Sequence, residues 1–383
     1  MTTDHSPSGR PRARALGIPF AGSPGRSNAI TDVAGVEVGY VTLIEGEGEL
    51  VVGRGPVRTG VTAILPRGRA GVGTSCSAGW YSLNGNGEMT GTTWISETGA
   101  LSFPVMITNT HAVGSVHRGV IDWIVAHRPD LAMQWLLPVV AETWDGYLND
   151  INGGHVRPAH AAIAIDQAHD GAIDEGSVGG GTGMNCYGFK GGCGTSSRQV
   201  AHGGSTFTVG AFVQANFGGR DELAIAGRHL GDLAVADPLA DDGWWQRDQR
   251  RAAPRGAGSV IVIVATDAPL LPAQCSALAR RVPLGLARTG TSGSHFSGDI
   301  FLSFSTADPG ALDSRFPNDG DPPFASLTFV PWGHIDPFYE ATVQAVEEAV
   351  VNALVVNQDM TGRDGNWTPA LPHSLLLERM GTQ

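Results

Sequence analysis

Gly256-Ala257-Gly258-Ser259 opens into Val260-Ile261-Val262-Ile263-Val264-Ala265, six uninterrupted apolar residues of which five are β-branched. A strand with no polar alternation has no face to offer to water, so it must be covered on both sides. That requirement demands a layered fold with this strand near the middle of a sheet. The preceding segment, 244–255, is charged and broken by Pro254, and is expected to join no sheet. A serine at the mouth of such a strand raises a chemical question. If the chain is cut before Ser259, a new α-amine stands beside a hydroxyl. An α-amine titrates at about 7.7–8.0, against about 10.4 for a lysine, so it accepts a proton near neutral pH. Nucleophile and base then belong to one residue. Glycine and serine are also ordinary turn residues, and the junction alone reads first as a turn before a strand.

The rest of the chain supplies more strands and a few helices. Residues 28–42 alternate in part and suggest a first strand, 61–66 a second, with the acidic stretch 45–49 a loop between them. Residues 1–27 read as a mobile tail followed by an arm. Two Asn-Gly pairs in Asn84-Gly85-Asn86-Gly87-Glu88 mark a turn, either a polar loop of a site or a plain connection. Residues 103–114 begin as a strand and end polar, and 112–126 suit a helix. The apolar run 136–140 leads into Glu142-Thr143-Trp144-Asp145-Gly146-Tyr147-Leu148-Asn149-Asp150, the densest polar and aromatic cluster. Its acids do not have the spacing of a calcium loop, and no histidine pair supports zinc. His155 and His160 are expected as loop histidines. A strand is predicted over 159–166 and another over 207–216. Gly179-Gly180-Gly181 lacks the lysine and serine of a phosphate-binding loop. After the Ser259 strand, 271–286 reads as a helix broken near Pro283. A strand follows at 300–304, and then a helix from Asp336-Pro337 with an apolar stripe at Val343, Val346, Val350 and Leu354. The chain from Thr361 onward reads as loop and a short arm.

At 383 residues the chain can bury a large core, and a net charge of −12 argues against nucleic acid or an anionic membrane surface as partner. No stretch approaches the ~20 apolar residues of a membrane span. Met1–Arg14 lacks the apolar core of a secretory signal, so a cytoplasmic, soluble protein is expected. The four cysteines, Cys76, Cys186, Cys193 and Cys275, form no Cys-x-x-Cys pair and read as free buried thiols.

Strands and helices without a repeat fit an α/β or α+β layered domain. The motifs go further. Asn28–Val36, Glu142-Thr143-Trp144-Asp145-Gly146, Asn149–Gly153, Gly258-Ser259 with Ala265-Thr266-Asp267-Ala268-Pro269-Leu270, and Gly293-Ser294-His295 before Ser297-Gly298-Asp299 resemble the DmpA/BapA-type peptidases. These are the L-aminopeptidase/D-esterase-amidases and the β-peptidyl aminopeptidases. The resemblance implies a four-layer αββα sandwich like that of the N-terminal-nucleophile hydrolases, the DmpA/ornithine acetyltransferase-like fold. It also implies one catalytic domain, 1–383, that cuts itself between Gly258 and Ser259 into an α chain, 1–258, and a β chain, 259–383. Four such heterodimers would assemble into a homotetramer.

Carried onto this sequence, the resemblance makes Ser259 the nucleophile and places Ser297 and Asp299 where they assist it and its amine. Asn216 matches the oxyanion-hole asparagine, and Glu142 the acid that holds the substrate's free amine. Trp144 is expected as a wall of that amine pocket. Some members place a tyrosine hydroxyl near the oxyanion, and Tyr147 is the tyrosine in the matching stretch. Asp299 stands where β-peptide-cleaving members carry glutamate, which tilts the reading towards α-aminopeptidases. Gly258, lacking a Cβ, can take a strained backbone that brings its carbonyl to the Ser259 hydroxyl. The implied function is a self-processing serine aminopeptidase acting on short peptides, aminoacyl amides and esters, with no metal or organic cofactor. The alternatives are acyl transfer from the same acyl-enzyme to an amine, and an uncut ligand-binding relative without catalysis.

Overall fold

In a computed structural model that describes residues 4–237, 239 and 257–381, Val260–Ala265 is fully buried as required. It lies in strand β13 (Gly258–Thr266), inside a six-stranded sheet. The other members are β3 (Cys76–Ser82), β4 (Ala100–Leu101), β9 (Gly192–His202), β10 (Ser205–Asn216) and β14 (Ser297–Ser305), in the order β4-β3-β14-β13-β10-β9. A four-stranded sheet, β1-β2-β5-β6, is built from β1 (Glu37–Glu45), β2 (Val57–Leu65), β5 (Val105–Asn109) and β6 (Val139–Thr143). Among the described residues three short hairpins complete the strands. They are β7 (Asn185–Cys186) with β8 (Phe189–Lys190), β11 (Ala224–Ile225) with β12 (Arg228–His229), and β15 (Met360–Thr361) with β16 (Trp367–Thr368).

The alternation within β13 explains the layers. Ile261, Ile263 and Ala265 pack with Ile64, Val105, Ile107 and Ala141 from the smaller sheet, forming a core between the sheets. Val260, Val262 and Val264 face the other way, among Leu278, Ala345, Val346 and Ala349. Those residues belong to helices α4 (Pro272–Ala279) and α6 (Asp336–Val355), with α5 (Val282–Ala287) beside them. On the far side, α2 (Val113–His127) and α3 (Pro158–Asp166) cover the smaller sheet. Helix, sheet, sheet and helix thus make the four αββα layers. Burying each large aliphatic side chain stabilises the fold by about 1.5–3 kcal/mol, so the apolar run Val260–Ala265 ties two of the cores together. Helices α1 (Thr92–Thr98) and α7 (His373–Met380) add Ile95 to the core between the sheets and Leu376 to the core under α4 and α6.

Several expectations need correction. The strand expected over 159–166 is helix α3, because Pro158 starts it and four alanines favour helix over strand. Residues 30–32 form a 3-10 turn, and the first strand begins only at Glu37. The stretch 271–286 is two helices, α4 and α5, rather than one kinked helix. From Thr361 the chain forms the β15–β16 hairpin and α7.

The start of the chain is not a mobile tail over its described residues. Arg12 pairs with buried Glu175 at 2.6 Å, and Arg14 with Glu348 of α6 at 2.7 Å. This arm explains why α6 buries polar residues as well as its expected stripe. Glu348 also accepts from Arg198 at 2.6 Å and from Asn28 at 2.5 Å, and Asn352 Oδ1 accepts from the Ala13 N–H at 3.0 Å. The segment 244–255, expected to join no sheet, lies outside the described residues.

Candidate active site

Ser259 is the second residue of β13, and the ladder places it in a row of three. Its antiparallel partner is Asn216 at the end of β10, and its parallel partner is Gly298 in β14. Residues in register share a face. The Ser259 side chain therefore points with Ile261 and Ile263 into the space between the sheets. There it meets the end of β6. The Trp144 N–H donates to Ser259 Oγ at 3.2 Å, and Asn216 Nδ2 donates to the same oxygen at 3.4 Å. Asn216 Nδ2 also donates to the Trp144 carbonyl at 2.9 Å. The amide cannot turn round without loss, because its Oδ1 accepts the Asn185 N–H at 2.9 Å. Two N–H donors thus converge on one buried hydroxyl.

Gly258 has a different reason for being glycine than the one expected. Its φ is not in the left-handed region. A Cβ there would fall 2.1 Å from the Asn216 carbonyl oxygen. Only a residue without a side chain lets the chain pass β10 so closely just before the serine.

Ser297 and Asp299 flank Gly298, so their side chains leave β14 on the opposite face from the Ser259 hydroxyl. Ser297 Oγ donates to Asp299 Oδ1 at 2.5 Å. The Asp299 carboxylate also faces the Val260 N–H, which brings it to the main chain beside Ser259 rather than to the hydroxyl. Burial pushes its carboxyl above the ordinary aspartate range, against the opposing pull of the Ser297 and Asn84 hydrogen bonds.

Glu142 lies near the end of β6, two residues before Trp144, with its carboxylate against Gly87 of the loop that covers Gly298. One carboxylate oxygen accepts the Glu88 N–H at 3.0 Å, and the other accepts the Thr110 hydroxyl. It is 3% exposed, and burial raises its carboxyl above the usual range despite those two donors.

Trp144 contributes its main chain to the nucleophile. Its ring folds over Gly146 and packs against the Tyr147–Leu148 cluster. The Tyr147 hydroxyl donates to the Trp367 carbonyl at 3.4 Å; at Ser259 Oγ it is the Trp144 N–H that joins Asn216. Reading side chains could not have found that main-chain donor. Three further residues escaped the sequence reading. Asn185 orients Asn216, Thr110 binds Glu142, and Asn84 binds Asp299. Only Asn84 had a signal, its Asn-Gly turn.

Behind the site, Asp145 is fully buried, with Oδ1 accepting from Asn149 at 2.9 Å. Burial pushes its carboxyl up to about 7, against hydrogen bonds from Thr59 and Asn149. Its folded value lies above the unfolded 3.8, so the folded chain holds this proton more tightly. That contribution is fully present below about pH 3.8 and is lost as pH rises through about 7. Asp145→Asn keeps the Asn149 contact and removes the charge. Its Tm should therefore fall less than the parent's between about pH 5 and pH 8. Parallel curves for the two proteins would refute that assignment.

The cysteines are free and buried. Burial raises Cys76 to about 11 and Cys186 and Cys193 to about 12, so they stay protonated thiols. His155 bonds Asp150 at 2.8 Å, and His160 sits in the first turn of α3 rather than in a loop. Among the described residues no group of three or more His, Cys, Asp or Glu is arranged to hold a metal ion. No described helix is long and apolar enough to cross a membrane.

Comparison with known proteins bears on this geometry. A family model described as Peptidase family S58 matches residues 28–368. The beta-peptidyl aminopeptidase BapA of Sphingosinicella microcystinivorans is 50% identical over 377 residues, covering 96% of this chain and 91% of that protein. The BapA of Sphingosinicella xenopeptidilytica is 44% identical, covering 97% and 91%. Among solved structures, the L-aminopeptidase D-Ala-esterase/amidase of Ochrobactrum anthropi, a serine aminopeptidase with a variant of the Ntn hydrolase fold, superposes with a TM-score of 0.87. It is 45% identical over 97% of this chain and 99% of that one. A β-aminopeptidase from Burkholderia sp. gives 0.85 and 44% identity, over 97% and 98%.

Proposed function

Since the chain belongs to peptidase family S58, and is thus an aminopeptidase with the layering of the Ntn hydrolases, we propose that Ser259 is its self-generated nucleophile. The observation that carries this reading is the convergence of the Asn216 Nδ2 and Trp144 N–H donors on Ser259 Oγ at the mouth of β13. In maturation, Ser259 Oγ attacks the Gly258 carbonyl, the Gly258–Ser259 C–N bond breaks, and an ester forms as the Ser259 amine is released. Water then hydrolyses the ester, leaving the Gly258 carboxylate and a free α-amine on Ser259.

In turnover the α-amine takes the hydroxyl proton as Oγ attacks the substrate carbonyl. The oxyanion that forms is bound by Asn216 Nδ2 and the Trp144 N–H. The proton passes to the leaving amine or alcohol, and water clears the acyl-enzyme. Ser297 and Asp299 hold and polarise the amine from the main-chain side. Glu142 binds the substrate's ammonium, restricting the enzyme to free N-termini. Short peptides, aminoacyl amides and esters are the substrates that fit. The two named relatives that act on β-peptides and the one described as an L-aminopeptidase share nearly the whole chain with it, so α- and β-aminoacyl compounds are both on the panel to be tested.

The cut leaves the fragments interlocked. β13 and β14 from the smaller fragment lie between β10 and β3 from the larger, and Glu348 is held by Arg14, Arg198 and Asn28 across the divide. A tetramer of such heterodimers is the assembly proposed. Exposed Trp135 and Phe316, with ring centroids 5.0 Å apart, offer apolar surface for it.

Asn216→Ala tests the oxyanion assignment. It should lower kcat by about 10²–10³ with little change in KM, because the contact strengthens only as charge develops. Steady-state kinetics on an aminoacyl p-nitroanilide reads this directly. A near-normal kcat would remove Asn216 from the oxyanion site.

A further inference from the structure

The loop Asn84–Glu88 wraps the end of the six-stranded sheet and touches both acids of the site. On the helix side, Asn84 Oδ1 accepts the Asp299 N–H at 2.8 Å, while Nδ2 donates to Asp299 Oδ2 at 3.3 Å and to the Ser294 carbonyl at 3.0 Å. With Oδ2 so engaged, Oδ1 is the oxygen that takes the Ser297 hydroxyl. At its other end, the Glu88 N–H donates to Glu142.

Between these two ends the loop lies flat on β14. A Cβ on Gly298 would fall 2.3 Å from the Asn86 carbonyl oxygen and 2.8 Å from Gly87 Cα. A Cβ on Gly87 would come 3.2 Å from Glu142 Oε1 and 3.1 Å from Gly298 Cα. Gly298 is the register partner of Ser259. One five-residue loop therefore connects the Glu142 carboxylate, the nucleophile's row and Asp299.

We propose that the 84–88 loop is a specificity-determining strap that fixes the spacing between Glu142 and Ser259, with Gly87 setting the approach and Asn84 a positioning residue for Asp299. This rests on Glu142 as the amine site and Ser259 as the nucleophile. An α-aminoacyl and a β-aminoacyl substrate differ by one methylene between ammonium and carbonyl. An anchor held at a fixed distance from the nucleophile presents one of those carbonyls better than the other. A misplacement of about 1 Å can cost about 100-fold in rate, and one methylene is worth about 10–200-fold in discrimination.

Gly87→Ala places a methyl between the Glu142 carboxylate and Gly298, so that one of them must give by a few tenths of an ångström. The measurement is the ratio of kcat/KM for the p-nitroanilides of L-alanine and β-alanine. That ratio should shift about tenfold or more, in either direction, with self-cleavage still complete. Glu88→Pro deletes the N–H that holds Glu142 and leaves residue 87 a glycine, and should move the same ratio even if Gly87→Ala folds poorly. Ratios unchanged within about twofold in a folded variant overturn the strap.

Asn84→Ala should lower kcat on both substrates, leave KM in place and shift the acid limb of the pH–kcat profile. A fall in kcat with an unmoved profile overturns the positioning role of Asn84. A parent enzyme that hydrolyses N-acetylated alanine p-nitroanilide as fast as the free amine breaks the Glu142 reading instead. A parent that demands the free amine while both loop variants keep its ratio breaks the strap alone.

Discussion

Ser259→Ala should yield a single uncut chain with turnover reduced on the order of 10⁶-fold, the scale on which loss of a serine nucleophile acts elsewhere. The variant should fold, because Ser259 Oγ only receives two long hydrogen bonds, at 3.2 and 3.4 Å, and alanine fits the same strand position. The run Val260–Ala265 beyond it is apolar and unaffected. Removing the hydroxyl takes away the attacking group of both maturation and turnover, so the two losses must occur together. Gel electrophoresis and a p-nitroanilide assay on the same preparation read both. A cut Ser259→Ala protein, or one with activity near the parent's, would place nucleophile and cleavage elsewhere.

Glu142→Ala should separate the two activities. A chain end differs from a chain interior by its ammonium, and Glu142 is a buried carboxylate with a donor on each oxygen. Truncating one partner of such a charge pair costs about 2–5 kcal/mol. The corresponding fall in kcat/KM is roughly 30- to 5000-fold. Self-cleavage should survive, since the precursor presents no free amine there. Burial raises the Glu142 carboxyl, so it loses its charge at a higher pH than an ordinary glutamate. In the parent, protonation of Glu142 should accordingly add to the fall of kcat/KM on the acid side, and Glu142→Ala should lose that contribution while the limb set by the Ser259 amine remains. Efficient hydrolysis of N-acetylated aminoacyl amides by the parent would make the enzyme a general amidase and leave Glu142 another task.

The strands that build the site were legible because their signals are local. Val260–Ala265 is apolar throughout, 207–216 is β-branched and aromatic, and 300–304 follows suit; all three became neighbours in one sheet. The motifs around Glu142 and Ser259 carried the family. What stayed hidden depends on partners distant in the chain. Arg12 is anchored by Glu175, 163 residues away, and nothing near Arg12 announces that it is tied down. Asn84 meets Asp299 across 215 residues. The Trp144 N–H is a backbone group that any residue but proline supplies, so its role had no side-chain signature. Gly258 was recognised as necessary, but its reason, the passing Asn216 carbonyl, exists only once β10 is beside it. Pro158–Asp166 misled because its run of alanines and isoleucines alternates well enough for a strand, while its proline start and alanine content favour a helix.

Labelling the parent enzyme with a serine-directed sulfonyl fluoride, followed by denaturation and intact-mass analysis, tests the central assignment most directly. The fragment that runs from Ser259 to the end of the chain should carry one sulfonyl group on its first residue, and the fragment ending at Gly258 should carry none. A label on the larger fragment, or a smaller fragment beginning anywhere but Ser259, would contradict it.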